Sequence, residues 1–164
     1  MSKKHSATPK TNAARLLDAA GIAYTLVPYP VDEEHLDAVH VAQSLGEDIR
    51  RVFKTLVLRG ERCGLFVCVI PGDAEVDLKK AARAIGDKKV DLVAVRELLP
   101  LTGYIRGGCS PIGMKKALPT LVHDSASVYD TIYVSAGVRG LQICAAPADI
   151  VAACNATLTD LIKQ

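Results

Sequence analysis

The sequence predicts an α+β fold, a single domain with a central mixed β-sheet flanked by helices. Three observations carry this expectation. β-rich runs and amphipathic helical runs are mixed without a strict strand–helix–strand alternation. The composition, 49% hydrophobic and 23% charged, is that of an ordinary globular chain. No linker, repeat or low-complexity stretch divides the 164 residues, so one domain over 1–164 is expected.

The elements follow in order. The first seven residues are polar and read as frayed. Thr8-Pro9 offers an N-cap with proline at the first helical position, and Ala13, Leu16, Leu17 and Ala20 keep helical spacing up to the stop at Gly21. A strand is expected from Tyr24 to Tyr29, ending at Pro30, then an acidic loop to Asp37. Val39, Ala42 and Leu45 mark a second helix closed by Gly46. Two β-rich runs, Val52 to Leu58 and Leu65 to Ile70, flank a turn signal and read as a hairpin. Asp77 to Ile85 is a short amphipathic helix stopped by Gly86, and Val95 to Leu99 reads as another helical turn. Residues 102 to 114 carry four glycines and a proline and form a structured loop. Strands are expected at Thr120 to His123, Thr131 to Ser135 and Leu141 to Cys144, with a last helix from Pro147.

Bulk properties exclude more than they identify. A formal charge of +2 is too small for a dedicated nonspecific nucleic-acid binder, although a few placed cations can hold one acceptor end. The start has no apolar core for a signal peptide and no run approaches membrane-spanning length, so a cytoplasmic protein with no membrane partner is expected. Five cysteines, at 63, 68, 109, 144 and 154, show no CxxC spacing, and Cys68, Cys144 and Cys154 read as small buried hydrophobes. The histidines at 5, 35, 40 and 123 lack ligand spacing, so neither a metal nor another cofactor is expected, and His35 and His40 read as surface residues. The runs at Asp77 to Lys80 and Asp87 to Lys89 read as solvated helix faces.

Four places hold candidate chemistry. The loop GYIRGGCSPIGMKK, Gly103 to Lys116, concentrates backbone-permissive residues. Gly107 and Gly108 let amides approach a ligand with no Cβ in the way, Ser110 adds a hydroxyl and Pro111 stiffens the exit. Such a loop either aims N–H groups at a carbonyl or phosphate oxygen or is a tight structural turn. Lys54 sits in the apolar run RVFKTLVLRG, where alternation groups it with Val52 and Leu56, opposite Phe53, Thr55 and Val57. A lysine there snorkels, pairs with an acid or faces a polar cavity. IYVSAGVRG places Ser135 and Gly137 at a bend between strands, and Tyr29 stands between two prolines near a strand end. Cys109 lies in the glycine loop with no neighbouring His to activate it.

Together these segments resemble the YbaK family of aminoacyl-tRNA deacylases, relatives of the editing domain of bacterial prolyl-tRNA synthetases. The resemblance runs through TPKTNAARLLDAAGIAY, RVFKTL, PGDAEVDLKKAARAIGDKKVDL, GYIRGGCSPIGMKK with LPT, and TIYVSAGVRGLQI, in the family's order and over nearly the whole chain. It implies a barrel-like mixed sheet and a pocket for the aminoacyl-adenosine end of tRNA, with prolyl-tRNA synthetase as a partner. It places the family's site residues on Lys54, Gly107 and Gly108 as catalytic positions. Tyr29, Thr55, Ser110, Pro111, Ser135, Gly137 and Gln142 become substrate contacts. Some members carry Asp where this chain has Gln142, so no carboxylate base is available there. The implied activity is trans-editing of Cys-tRNA(Pro), in which the substrate's own thiol cleaves the ester. The alternatives are a deacylase of the same fold acting on Ala-tRNA(Pro), a noncatalytic tRNA- or synthetase-binding module, and a Cys109-dependent enzyme.

Overall fold

A computed structural model describes residues 10–164. Thr8 and Pro9 lie outside the described residues, as does the polar start. The first helix, α1 (Asn12–Ala19), begins three residues beyond Pro9, and the Thr11 hydroxyl accepts the Ala14 N–H at 3.2 Å. Ala13, Ala14 and Leu17 are buried, whereas Leu16, expected on the same stripe, is 45% exposed.

The elements β1 (Tyr24–Pro28), α2 (Ala38–Leu45), β2 (Phe53–Gly60), β3 (Gly64–Pro71) and α3 (Leu78–Ile85) stand where the pattern predicts them. They are followed by β4 (Val90–Leu92), α4 (Leu98–Thr102), β5 (Thr120–His123), β6 (Ile132–Ser135), β7 (Leu141–Ala145), α5 (Pro147–Cys154) and β8 (Thr157–Thr159). Three single turns of 3-10 helix, at Ile49–Arg51, Val95–Glu97 and Asp124–Val128, connect them. The edge strands β4 and β8 have no counterpart in the sequence expectation. In α2 the buried residues are Val41 and Ala42, and Val39 faces outward at 36% exposure.

The strands form two sheets. One is five-stranded and mixed, in the order β4-β2-β3-β5-β8, with β3-β5 and β5-β8 parallel. The other is antiparallel, in the order β1-β7-β6. A single parallel bridge, Val52 to Tyr133, joins them at a seam. The fold class is therefore α+β with mixed strands as expected, but the sheets meet at this seam without closing into a barrel.

The main core lies between the sheets and includes Phe53, Val67, Val69, Val122, Val134 and Ile143. A second core under α3 gathers Leu58, Phe66, Cys68 and Ile70, and a third under α2 gathers Val41, Ala42, Val52 and Tyr133. Period-two alternation along β2 and β3 feeds both faces of the larger sheet, which explains their near-continuous apolar character.

One run is corrected. Asp87 is not on a solvated helix face; it is 8% exposed and accepts the N–H groups of Arg62, Cys63 and Lys88 at 2.8, 2.8 and 2.7 Å. The β2–β3 hairpin tip folds back onto it, and a Cβ at Gly60 would overlap both Asp87 and Cys63. Asp77, by contrast, caps α3 through the N–H groups of Lys79 and Lys80. The cysteines split: Cys68 is fully buried, while Cys144 and Cys154 are only partly so.

Candidate active site

Lys54 leaves β2 on the face away from the main core. It lies between Val52, packed under α2, and Leu56, packed under α3. The side chain is half-buried, and it lines a cleft of about 690 Å³ with Glu75, Lys79, Leu92 and Lys163. Desolvation lowers its pKa below the ordinary lysine value, and Asp73, Glu75 and Asp37 oppose that shift through their charge. Thr55 points to the opposite face of β2, where its buried Oγ1 has no hydrogen-bond partner among the described residues.

The seam brings the second sheet to Lys54. Val52 bridges Tyr133 in parallel, and Lys54 and Ser135 each lie two residues beyond that bridge on their own strands. Ser135 is in turn the cross-strand partner of Gln142. Gln142 is 5% exposed, and its Oε1 lacks a hydrogen-bond partner among the described residues. Such an acceptor costs about 1–3 kcal/mol unless something donates to it. A clamp fixes this geometry. The Tyr133 hydroxyl donates to Glu47 Oε1 at 2.7 Å, and Arg51 donates to Glu47 and to the Thr131 carbonyl, each at 3.1 Å.

The glycine loop closes on the bend after Ser135. The Ser135 hydroxyl accepts the Gly137 N–H at 3.1 Å, and Gly137, at φ +106°, rests against the Tyr104 ring. A Cβ on Gly108 would come within 3.1 Å of the Val138–Arg139 backbone. A side chain there has no room, and the close approach of two backbones explains the glycine. Arg139 Nε donates to the Arg106 carbonyl at 2.9 Å, tying loop to bend. Tyr29 joins from the end of β1, its N–H donating to the Gly140 carbonyl at 2.9 Å.

The loop's groups divide into those engaged internally and those left open. The Gly108 N–H donates to the Ile105 carbonyl at 3.0 Å, so the expected pair of oxyanion donors reduces to one. The Gly107 N–H has no acceptor among the described residues. Ser110 turns inward, fully buried, its Oγ accepting the Ile112 N–H at 3.2 Å. Pro111 lines an apolar groove against α1 and α5. Both therefore shape the loop and do not face the seam. Cys109 is 8% exposed, and burial pushes its thiol up to about 11, with a weaker opposing effect from Thr102. An activated thiolate requires the reverse environment.

One segment that the pattern left as acidic loop and surface proves central. Leu36 stands 3.4 Å from where a Gly107 Cβ would be, and Asp37 is among the charges acting on Lys54. Residue 36 thus meets the glycine loop, and the charge of its neighbour Asp37 reaches Lys54. On either side of them, His35 and His40 stack with ring centroids 4.4 Å apart and planes at 24°. A signal was present in the sequence, because DEEH and DAVH repeat D-x-x-H at Asp32–His35 and Asp37–His40. Among the described residues, no group of three or more His, Cys, Asp or Glu is placed to hold a metal ion.

Comparison with known proteins agrees with this architecture. The family model for the aminoacyl-tRNA editing domain matches residues 32–153. A protein of Enterococcus faecalis, provisionally named a Cys-tRNA(Pro)/Cys-tRNA(Cys) deacylase, EbsC, is 47% identical over all 164 residues and 99% of its own length. A proline–tRNA ligase of Thermosipho melanesiensis is 27% identical over 66% of this chain, which spans 20% of that ligase. A crystal structure described provisionally as a trans-editing enzyme for prolyl tRNA synthetase superimposes with a TM-score of 0.81 at 25% identity, over 95% of this chain and 100% of that one. The match over residues 32–153 takes in the strand bearing Lys54, the glycine loop and the Ser135–Gly140 bend, and the chain belongs to the aminoacyl-tRNA editing domain family.

Proposed function

We propose that this chain, as a single editing domain, is a cytoplasmic trans-editing deacylase that removes cysteine from mischarged tRNA(Pro). One observation supports this most: the site combines an ammonium, an open amide and an orphaned buried carboxamide, yet holds no activated protein nucleophile. Cys109 is buried and its thiol pushed up, and the Ser110 and Ser135 hydroxyls each accept a backbone N–H in a turn. The nucleophile then comes from the substrate.

In a cysteinyl ester the thiol sulfur attacks its own carbonyl carbon. An S–C bond forms, the ester C–O bond breaks, and the thiol proton passes to the leaving ribose oxygen. The products are free tRNA and a cysteine thiolactone that water then opens. The ester is already activated, so the protein's part is positioning and charge stabilisation. Gly107 N–H donates to the carbonyl oxygen, and Lys54 holds the terminal phosphate or ribose. Gln142 Oε1 accepts from the substrate's α-ammonium, while Tyr29, Ser135 and Gly137 form the wall. Selectivity by the thiol evades the limit of roughly 1–3 kcal/mol that size alone gives between small side chains. Recognition of tRNA(Pro) itself is assigned to prolyl-tRNA synthetase as partner, since homologous segments occur inside such ligases.

The test is deacylation of Cys-tRNA(Pro) and Ala-tRNA(Pro) side by side. Turnover of the cysteinyl ester alone is expected. Equal turnover of both esters would replace the thiol mechanism with hydrolysis by water, and turnover of neither would make the domain a binding module.

A further inference from the structure

We propose that the stacked His35–His40 pair is a nucleobase platform, taking an unpaired base at the 3′ end of the tRNA beside the ester site. It rests on the function proposed above, which supplies a single-stranded nucleic-acid end at this place. The position comes from the geometry. Leu36, next to His35, approaches Gly107, and Asp37, the partner of His40, acts on Lys54. A ribose held between loop and lysine therefore places its own base, or the one before it, within reach of residues 35–40.

The chemistry fits a base better than a phosphate or a metal. Each ring is fixed by a carboxylate in its own D-x-x-H unit, His35 Nδ1 to Asp32 at 2.8 Å and His40 Nδ1 to Asp37 at 2.6 Å. A carboxylate only accepts, so Nδ1 carries the proton in both rings. In the neutral tautomer Nε2 is then a bare acceptor, suited to the exocyclic amine that adenine and cytosine both present. The side chains remain 48% and 43% exposed, so imidazole surface stays open to solvent. The carboxylates of Asp32 and Asp37 beside the rings repel a phosphate. Base-on-aromatic stacking strengthens single-strand binding by about tenfold per base, and every base has a π-face to offer. Preorganisation adds to this, because the rings are already parallel and held before the ligand arrives.

The experiment is an NMR titration of the His35 and His40 imidazole Cε1–H signals with the dinucleotide CpA, using ribose 5-phosphate as control. CpA is expected to shift both signals saturably, and the sugar phosphate is not. H35A/H40A should weaken CpA by about tenfold, whereas H35F/H40F, which keeps the π-faces, should stay within about threefold of wild type. On Cys-tRNA the alanine pair should raise KM with kcat nearly unchanged. The platform is overturned if CpA and ribose 5-phosphate act alike, if H35A/H40A binds CpA as wild type does, or if the phenylalanine pair loses as much as the alanine pair. Intact deacylation with CpA ignoring both rings sinks this inference alone. Saturable CpA binding without any deacylation sinks the proposed function and leaves the platform standing.

Discussion

Two buried polar places in this domain are built in opposite ways. At the hairpin tip, Asp87 is saturated: three backbone N–H groups converge on one carboxylate, and Gly60 leaves the space it fills. At the seam, Gln142 is as deeply buried but its Oε1 has no partner among the described residues; it pairs with Ser135, two residues beyond the bridge that joins the sheets. Burial alone therefore does not separate architecture from function. A polar group whose valences are filled by its own chain holds the fold, and one whose valences are open has capacity left for a water or a ligand.

The contrast breaks if both places respond alike to substitution. Lys54→Ala should have the largest effect, a loss of about a hundredfold or more in kcat/KM on Cys-tRNA(Pro), while Tm holds or rises as a half-buried ammonium is removed. Unchanged turnover would remove Lys54 from the site. Activity should also fall with rising pH before the ordinary lysine range near about 10.4, since burial lowers the pKa of the cation that must be charged.

Asp87→Asn should do the reverse, lowering Tm by several degrees and leaving kcat unchanged, as read by calorimetry and by the same assay. Its N–H donors, from Cys63 and then Arg62, hold the carboxyl far below the usual carboxylate range. A depressed folded-state pKa contributes stability above the unfolded value, about 3.9, and loses it as pH falls through the folded pKa. The stability gap between wild type and Asp87→Asn should therefore start to narrow as pH drops below about 4 and close only through the folded pKa, far below the usual carboxylate range. A gap that did not narrow at all below about 4 would mean the carboxylate charge is not what holds the tip.

Cys109→Ala should have the smallest effect, with deacylation within about twofold of wild type. A thiol pushed up to about 11 is almost wholly protonated at neutral pH. Inactivation by the substitution would restore the cysteine to the mechanism.

The sequence makes most of the fold legible where its periodicity runs for a full element. β2 and β3 are apolar on both faces over eight positions, α3 packs every third and fourth residue, and Asp77 and Gly86 mark the ends of α3 as Gly46 marks the end of α2. β4 and β8 are three residues each, too short for any period to register, and exist only because a neighbouring strand offers an edge. Asp87 was misread because a run of charges has the same appearance whether water or backbone amides satisfy it. Among the site residues, Lys54 stands out in the sequence as a cation inside an apolar strand, and Gly107 and Gly108 as positions where amides approach a ligand; that Gly108 meets the Val138–Arg139 backbone is visible only in the structure. The internal bond of the Gly108 amide and the inward turn of Ser110 are set by the local turn geometry of residues 105–112, which residue types alone do not specify, and the approach of Leu36 to Gly107 joins segments far apart in the chain.

The seam at Val52–Tyr133 has a further consequence for how the protein would feel its ligand. Two sheets share a single bridge, and the Glu47–Tyr133–Arg51 clamp is the main polar tie beside it. A substrate held by Lys54 on one sheet and by Gln142 on the other would act as a reversible cross-link between them. Its binding energy then adds to the core packing that already joins the two halves, so occupancy is written into the mechanical integrity of the domain.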